Sequence, residues 1–226
     1  MKYYFRILFV FSVILISMTA FSQMTLVKNS KVTATQNRPL CPDSNHPHAI
    51  DMGAAGVWAC CNVGANKPED YGNYYAWGET ETKSDYSRDT YKHKKGNNYE
   101  NIGSDISGKI TYDAATKNWG GFWCMPSVSQ MKKLRNNCKS EWIQINGVNG
   151  MLFTASNGNR IFLPAAGHGF GSSSSSVGLY GFYWSSSLGA SLFQTDANYL
   201  SFDSRCVYMN SCGYRYYGNA VRPVRR

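Results

Sequence analysis

Residues 142–163 read WIQINGVNGMLFTASNGNRIFL. The pairs Asn146-Gly147 and Asn157-Gly158 cut this stretch into three short runs, Trp142 to Ile145, Met151 to Ala155 and Arg160 to Leu163. Asn and Gly tolerate the positive φ angles of the tightest reversals, so each pair predicts a hairpin between antiparallel strands. Toward the C-terminus the same pattern continues. Gly167 to Gly181 is a Gly/Ser loop with serines at every position from Ser172 to Ser176. Phe182 to Ser187, Asn198 to Asp203, Arg205 to Met209 and Ala220 to Val224 read as further strands.

Toward the N-terminus the period changes. Ser127 and Gln130 have the spacing of a capping box, in which each side chain satisfies a backbone donor at a helix start. Val128, Met131, Leu134 and Cys138 then form an apolar stripe at helical spacing, with Lys132, Lys133 and Arg135 on the wet side. A shorter helix is expected over Tyr112 to Trp119, with Asp113 at its cap. Ahead of it, residues 78–108 are polar and rich in Gly, Asn and Lys, a surface loop of a length that is uncommon unless it has a role. Tyr74 to Trp77 reads as a short aromatic strand. Ala49 to Gly53 and Val57 to Gly64 read as a strand pair about a glycine turn. Few helices and many short strands define an α+β domain with mainly antiparallel sheet.

Residues 1–22 have the layout of a secretory signal. Lys2 and Arg6 precede an apolar run from Ile7 to Ile16, and Ala20 and Ser22 offer small residues for cleavage before Gln23. The run is shorter than the ~20 residues of a spanning helix, and no stable membrane span is expected after cleavage. Residues 23–47 form a flexible leader with one strand near Met24 to Val27, and residues 48–226 form a single domain. Loss of Lys2 and Arg6 takes the basic residues from 23 to 21 against 14 acidic ones, leaving a formal charge of +7. The bases are scattered, with Lys92 to Lys95 the densest cluster, so nucleic acid is not an expected partner.

All seven cysteines lie beyond the signal. Export permits disulfides, and the odd count leaves one thiol over. Cys206 and Cys212 could bridge if they flank a tight turn. His46, His48, His93 and His168 do not share ligand spacing with any cysteine, so neither metal nor cofactor is expected.

The segment Asn198 to Asp203 alternates. Leu200 and Phe202 fall on one face, which should anchor the strand, and Tyr199, Ser201 and Asp203 on the other. Val207 continues the inward set, and Cys206 and Tyr208 the outward one. Tyr214, Tyr216 and Tyr217 follow in a Gly/Asn-containing turn region. Tyrosine offers a large rigid contact area with a polar tip, and Ser, Gly and Asn add adaptable hydrogen bonds, the composition of binding loops.

Several runs resemble the Fibrobacter succinogenes major paralogous domain family. They are Val57 to Ala65, Gly72 to Glu79, Asn118 to Pro126, Ile161 to Gly167, Tyr183 to Ser187 and Val221 to Val224, spread in order over residues 48–226. The resemblance implies an exported protein with a C-type-lectin-like fold: two helices packed on short, mainly antiparallel strands with long loops. Some members resemble the variable proteins of diversity-generating retroelements. In those terms Leu200, Phe202, Val207, Arg215, Gly218 and Val221 match fixed positions. Tyr199, Ser201, Asp203, Cys206, Tyr208, Asn210, Tyr214, Tyr216, Tyr217 and Asn219 match ligand-contacting ones. Cys124 stands where the family has Arg, and Gln130 where it has an acidic residue. The Glu-Pro-Asn, Gln-Pro-Asp and Trp-Asn-Asp triplets of calcium-dependent sugar-binding lectins are absent from the sequence.

No catalytic residue is expected. No Gly-x-Ser-x-Gly elbow joins a strand to a helix. Glu79 and Glu81 read as solvated loop carboxylates, and His168 as a lone histidine without a partner. The cysteine motif of formylglycine-generating enzymes has no match, so the copper-dependent oxidase chemistry of that sulfatase-modifying class does not carry over. The expected function is recognition of a cell-surface protein or glycan through the Tyr-rich C-terminal face. The alternatives are a structural component of a surface appendage or matrix, linked through the odd thiol, and, less favoured, an enzyme of the sulfatase-modifying type.

Overall fold

Asn146 and Gly147 both take positive φ, 49° and 84°, and close the hairpin their sequence predicts. In the computed structural model, which describes residues 40–41, 45, 47–192 and 194–226 apart from the side chains of 210–212, this hairpin begins a three-stranded antiparallel sheet. The strands in chain order are β1 (Ala49–Asp51), β2 (Val57–Ala59), β3 (Lys94–Lys95), β4 (Asn98–Tyr99), β5 (Trp123–Cys124), β6 (Cys138–Ile145), β7 (Val148–Ala155) and β8 (Arg160–Pro164). They continue with β9 (His168–Phe170), β10 (Ser173–Ser175), β11 (Gly181–Leu188), β12 (Asp196–Phe202), β13 (Val207–Tyr214) and β14 (Val224–Arg225). The helices are α1 (Ala114–Trp119) and α2 (Val128–Asn137), with a 3-10 turn at Gly53–Ala55 between β1 and β2. The compact unit spans Leu40–Arg226. The expected signal, the expected strand near Met24 to Val27 and most of the expected leader lie outside the described residues.

Three sheets carry the architecture: β6–β7–β8, β11–β12–β13, and a four-stranded sheet in the order β1–β2–β14–β5. The four-stranded sheet brings together strands from both ends of the unit. The result is a sheet-rich α+β domain with two short helices. Both helix starts are as the sequence implies. Asp113 accepts from Thr116 N at the start of α1, and Ser127 and Gln130 complete the capping box of α2. Met131 and Leu134 are buried beneath α2, whose last residue leads straight into β6.

β11 and β12 separate two apolar clusters. Tyr183, Leu200 and Phe202 join Trp58, Met131, Leu134, Phe153 and Ile161 in one. Trp184 and Ala197 join Trp77, Ile102, Ile106, Met125 and Val221 in the other. Neighbours in β11 thus point into different cores, as the two-residue period of a strand requires. Each fully buried Leu or Phe contributes about 1.5–3 kcal/mol relative to exposure.

Arg222 lies wholly inside this framework. Its Nε donates to Asn62 Oδ1 at 2.9 Å and its Nη2 to Phe162 O at 2.8 Å. Nη1 donates to the carbonyls of Ala59 and Cys60, both at 3.3 Å. A buried charge costs several kcal/mol, but hydrogen bonds to a charged group return about 1.5–3 kcal/mol each. Four of them tie β2, the segment after it, β8 and the C-terminal segment to one side chain.

Several expected elements differ. Ala220 to Val224 is not a strand: Ala220 makes an isolated bridge to Tyr183, and only Val224 of this run lies in β14. Tyr74 to Trp77 is not a strand; Tyr75 makes only an isolated bridge to Asn219, and Trp77 spends its indole N–H on Ser185 O. The Gly/Ser loop after β8 contains the hairpin β9–β10. Residues 78–108 are not a free surface loop. Tyr86, Tyr91, Ile102 and Ile106 are buried, and Glu79 with them. Aromatic and isoleucine side chains spaced along a polar stretch anchor it without giving it any period that sequence reading detects. The bridge proposed for Cys206 and Cys212 also fails. β13 runs between them, and six residues of strand span roughly 20 Å, beyond the ~7 Å limit for a disulfide.

Replacing Arg222 by Met should lower the unfolding free energy by about 3–5 kcal/mol, because its buried acceptors lose their donor. Ser127→Ala should cost only about 1 kcal/mol. Urea unfolding of the three proteins side by side measures both; equal midpoints for wild type and Arg222→Met would show that the guanidinium is not a structural tie.

Candidate ligand-binding site

The Tyr-rich segment divides in two. Tyr214 pairs with Asp196 at one end of the β12–β13 hairpin, and Tyr208 pairs with Ser201 toward the other. The six residues between them extend roughly 20 Å. The ten expected contact residues therefore do not form one patch.

At the first end Tyr214, Tyr216 and Tyr217 form a compact aromatic group. The rings of Tyr214 and Tyr216 stack 5.3 Å apart and 8° from parallel. Tyr217 stands edge-on to both, at 5.6 Å and 5.0 Å. From Tyr217 the contacts continue to Phe170 at 5.4 Å and to His168 at 5.5 Å. His168 meets Phe182 at 4.9 Å, and Phe182 meets Tyr180 and Tyr199, each at 5.9 Å. Phe170 and Tyr214 are exposed, at 55% and 45%, while Tyr199, Tyr216 and Tyr217 are half-buried.

Two cavities adjoin this group. The larger, about 460 Å³, is walled on one side by Tyr214, Tyr216 and Thr195. The other wall comes from the long segment 78–108, through Arg88, Asn97, Asn98 and Tyr99. Arg88 sits over the Tyr99 ring at 5.8 Å and donates to Asn97 O at 2.8 Å. The volume falls in the ~300–1,000 Å³ range of ligand sites. Burial, and then the neighbouring Tyr217 hydroxyl, push the Tyr216 phenol up to about 12, so it stays a neutral donor and acceptor near neutral pH. The smaller cavity, about 70 Å³, is lined by His168, Phe182, Tyr199, Gly213, Tyr217 and Asn219.

Arg215 underlies the larger groove. It is fully buried, with Nε donating to Tyr91 Oη at 2.8 Å and Nη1 to the carbonyls of Glu100 and Gln194, both at 3.1 Å. Its guanidinium lies over Trp77 at 4.9 Å and over Tyr99 at 5.6 Å. One cation thus holds both walls. A second clamp is made by glycines. Gly169 and Gly218 exchange backbone hydrogen bonds, and a Cβ on either would lie within 2.7 Å of the Tyr86 ring. Only hydrogen fits there, which seats Tyr86 and the long segment against the C-terminal turn.

At the second end of the hairpin the expectation of outward side chains fails for Ser201 and Asp203, and near the first end it fails for Asn219. All three are buried. Ser201 sits in the central strand between Phe182 and Tyr208 in the register, and these larger rings flank it. Asp203 turns inward to hold its own turn. It accepts from Arg205 N at 2.8 Å, Cys206 N at 3.1 Å and Arg205 Nη2 at 2.8 Å. Asn219 is held by its paired backbone bonds to Tyr75, though it reaches the smaller cavity. Cys206 and Tyr208 are exposed as expected, but far from the groove. Asn210 pairs through its backbone with Tyr199; its side chain lies outside the described residues.

Sequence reading missed the second wall, Arg88, Asn97, Asn98 and Tyr99, and also Phe170. The length of the 78–108 segment was the only hint. Glu79 and Glu81 are not a solvated pair: Glu79 is buried with Lys83 at 2.9 Å and accepts from Lys92 N at 2.8 Å, whereas Glu81 is exposed. His168 loses basicity through burial, and its Nδ1 finds no hydrogen-bond partner among the described residues. Elsewhere the structure gathers Cys41, His48 and Cys60, donors whose sequence spacing kept them apart. No helix among the described residues is long and apolar enough to cross a membrane. No protein-family model, curated protein or solved structure matches the chain.

The Asp203 turn titrates in a definite direction. The Arg205 side-chain hydrogen bond, together with the N–H groups of Arg205 and Cys206, holds the carboxyl at about 2 against an ordinary 3.8. Because the folded value is depressed, its stabilisation is present above pH 3.8 and is lost as pH falls toward 2. Thermal unfolding of wild type and Asp203→Ala should therefore differ near neutral pH and converge at the acid end. A constant difference across that window would assign the effect to packing instead.

Proposed function

We propose that this chain is an exported recognition module that binds a cell-surface glycan or protein. The ligand lies in the groove between Tyr214 and Tyr216 on one side and Arg88 and the Asn97–Tyr99 segment on the other. The single observation that supports the reading is this cavity of about 460 Å³. Stacked phenol rings offer flat apolar faces with polar edges, and the Arg, Asn and Thr groups opposite offer donors and acceptors. That combination suits a sugar ring or a planar protein side chain. Affinity comes from aromatic burial at the centre and hydrogen bonds at the rim.

The resemblance to the Fibrobacter succinogenes major paralogous domain family gives the proposed fold assignment, a C-type-lectin-like domain. The sheet-rich α+β organisation with two short helices supports it. Within that assignment the contact set is revised. Tyr199, Tyr214, Tyr216, Tyr217 and Asn219 belong to the groove and the adjoining small cavity. Ser201, Asp203, Cys206 and Tyr208 belong to a separate end of the hairpin.

One observation favours the second reading, a structural component of a surface appendage or matrix. The Cys206 thiol is exposed at the β12–β13 turn, where it could join two chains. Non-reducing electrophoresis reads this directly, since a linked dimer lost in Cys206→Ser would support it.

The recognition reading is tested by probing glycan and cell-surface-protein arrays with the purified protein. On a captured ligand, Tyr214→Ala and Arg88→Ala should each weaken binding by roughly 10- to 100-fold, while the thermal transition stays within a few degrees of wild type. Tyr208→Ala should bind as wild type does. Equal binding by Tyr214→Ala and wild type, or equal losses in Tyr208→Ala and Tyr214→Ala, would refute the groove as the site.

A further inference from the structure

β1 and β2 pair from Asp51↔Val57 to Ala49↔Ala59. The ladder runs one step further, because Cys60 N donates to His48 O at 3.0 Å. Strand pairing therefore sets residue 48 opposite residue 60. Across that step His48 N donates to Cys60 Sγ at 3.2 Å, and His48 Nδ1 lies 3.8 Å from the same sulfur. Cys41 Sγ approaches that ring nitrogen from the other side, at 3.1 Å. The three donor atoms all lie within 4.8 Å of one another.

These distances have a chemical meaning. A tetrahedral cation with bonds of ~2.0–2.3 Å to nitrogen and sulfur keeps its donor atoms about 3.5 Å apart. The two sulfur-to-nitrogen separations, 3.1 Å and 3.8 Å, bracket that value. Burial is graded as well. Cys60 is fully buried and forms the floor, while Cys41 and His48 are half-buried and leave an approach from solvent. Arg222, fully buried, donates to the Cys60 carbonyl at 3.3 Å, and the His48 N–H already points at the Cys60 sulfur. The neighbouring Cys61 sulfur is 3.8 Å from that of Cys60 and donates to Ala65 O at 3.5 Å.

We propose that Cys41, His48 and Cys60 form a binding site for a thiophilic cation of the zinc class. Two thiolates and a neutral imidazole balance a divalent charge. Hard cations are disfavoured because they take oxygen ligands, whereas mixed sulfur and nitrogen donors suit Zn²⁺. On binding, the Cys41 and Cys60 thiols each release a proton and no electrons move. The cation would staple the start of the unit onto the β1–β2 hairpin, since Cys41 lies outside either strand. The site is separate from the Tyr-rich groove and stands or falls independently of it.

The test uses the full chain, reduced and freed of metal. Co²⁺ is added and read by visible absorption, and Zn²⁺ is then titrated in competition with a chromophoric chelator. The expected result is a single equivalent of Co²⁺ with thiolate charge-transfer and tetrahedral d–d bands, displaced by Zn²⁺. Cys41→Ser and His48→Gln, at half-exposed positions, should each weaken Zn²⁺ binding on the order of 100-fold with an unchanged far-ultraviolet circular dichroism spectrum. Those spectra keep the test clear of any folding defect that Cys60→Ser might introduce. Absence of tetrahedral bands in the folded, reduced protein would overturn the proposal. So would Zn²⁺ affinity unchanged in both variants, uptake of Cu⁺ without Zn²⁺, or a peptide map of the exported protein joining Cys41 to Cys60 by a disulfide.

Discussion

Two-residue alternation in β11 and β12 is the constraint on which the rest of this domain depends. Tyr183, Leu200 and Phe202 must enter one core, and Trp184 and Ala197 the other. A slip of one residue would send each set into the other core, where its volume does not fit. This sheet therefore acts as a partition. The α2 and β6–β8 layer packs on one side of it, and the long 78–108 segment, anchored by Ile102 and Ile106, on the other. Because β12 is fixed by its inward residues, β13 and the turn after it are placed as well. That placement aims Tyr214 and Tyr216 at the groove.

Much of the chain outside the sheets is irregular, and irregular backbone has carbonyls to satisfy. Side-chain donors from the core do this. Arg222 gathers carbonyls from β2, the segment after it and β8. Arg215 gathers Glu100 O and Gln194 O. Trp77 and Trp184 reach Ser185 O and Tyr75 O, and Tyr91 reaches Trp77 O. Each bond joins segments distant in sequence, so the loops are part of the scaffold. This explains how a stretch of polar residues can form a fixed groove wall. The same logic separates the two buried arginines in role. Arg222 holds the sheets near the β1–β2 hairpin, and Arg215 holds the floor of the groove.

The sequence by itself determined the elements whose physics is local. Asn146-Gly147 supplied left-handed backbone, Ser127 and Gln130 a capping box, and Asp113 a cap, so the hairpin and both helices were legible. Alternation placed Leu200 and Phe202 inward for the same reason: the period of a strand is fixed whatever it packs against. Local physics could not say what would cover the opposite face. Ser201 and Asp203 share the parity of Tyr199, yet flanking rings bury one and a turn of N–H groups captures the other. Only the tertiary structure decided which segments meet. It brought Arg88 and Tyr99 to Tyr214 across more than a hundred residues, and set His48 beside Cys60 through strand pairing. Side chains that converge from separate segments leave no spacing in the chain, because the contact is made by the fold and not by the neighbours in sequence.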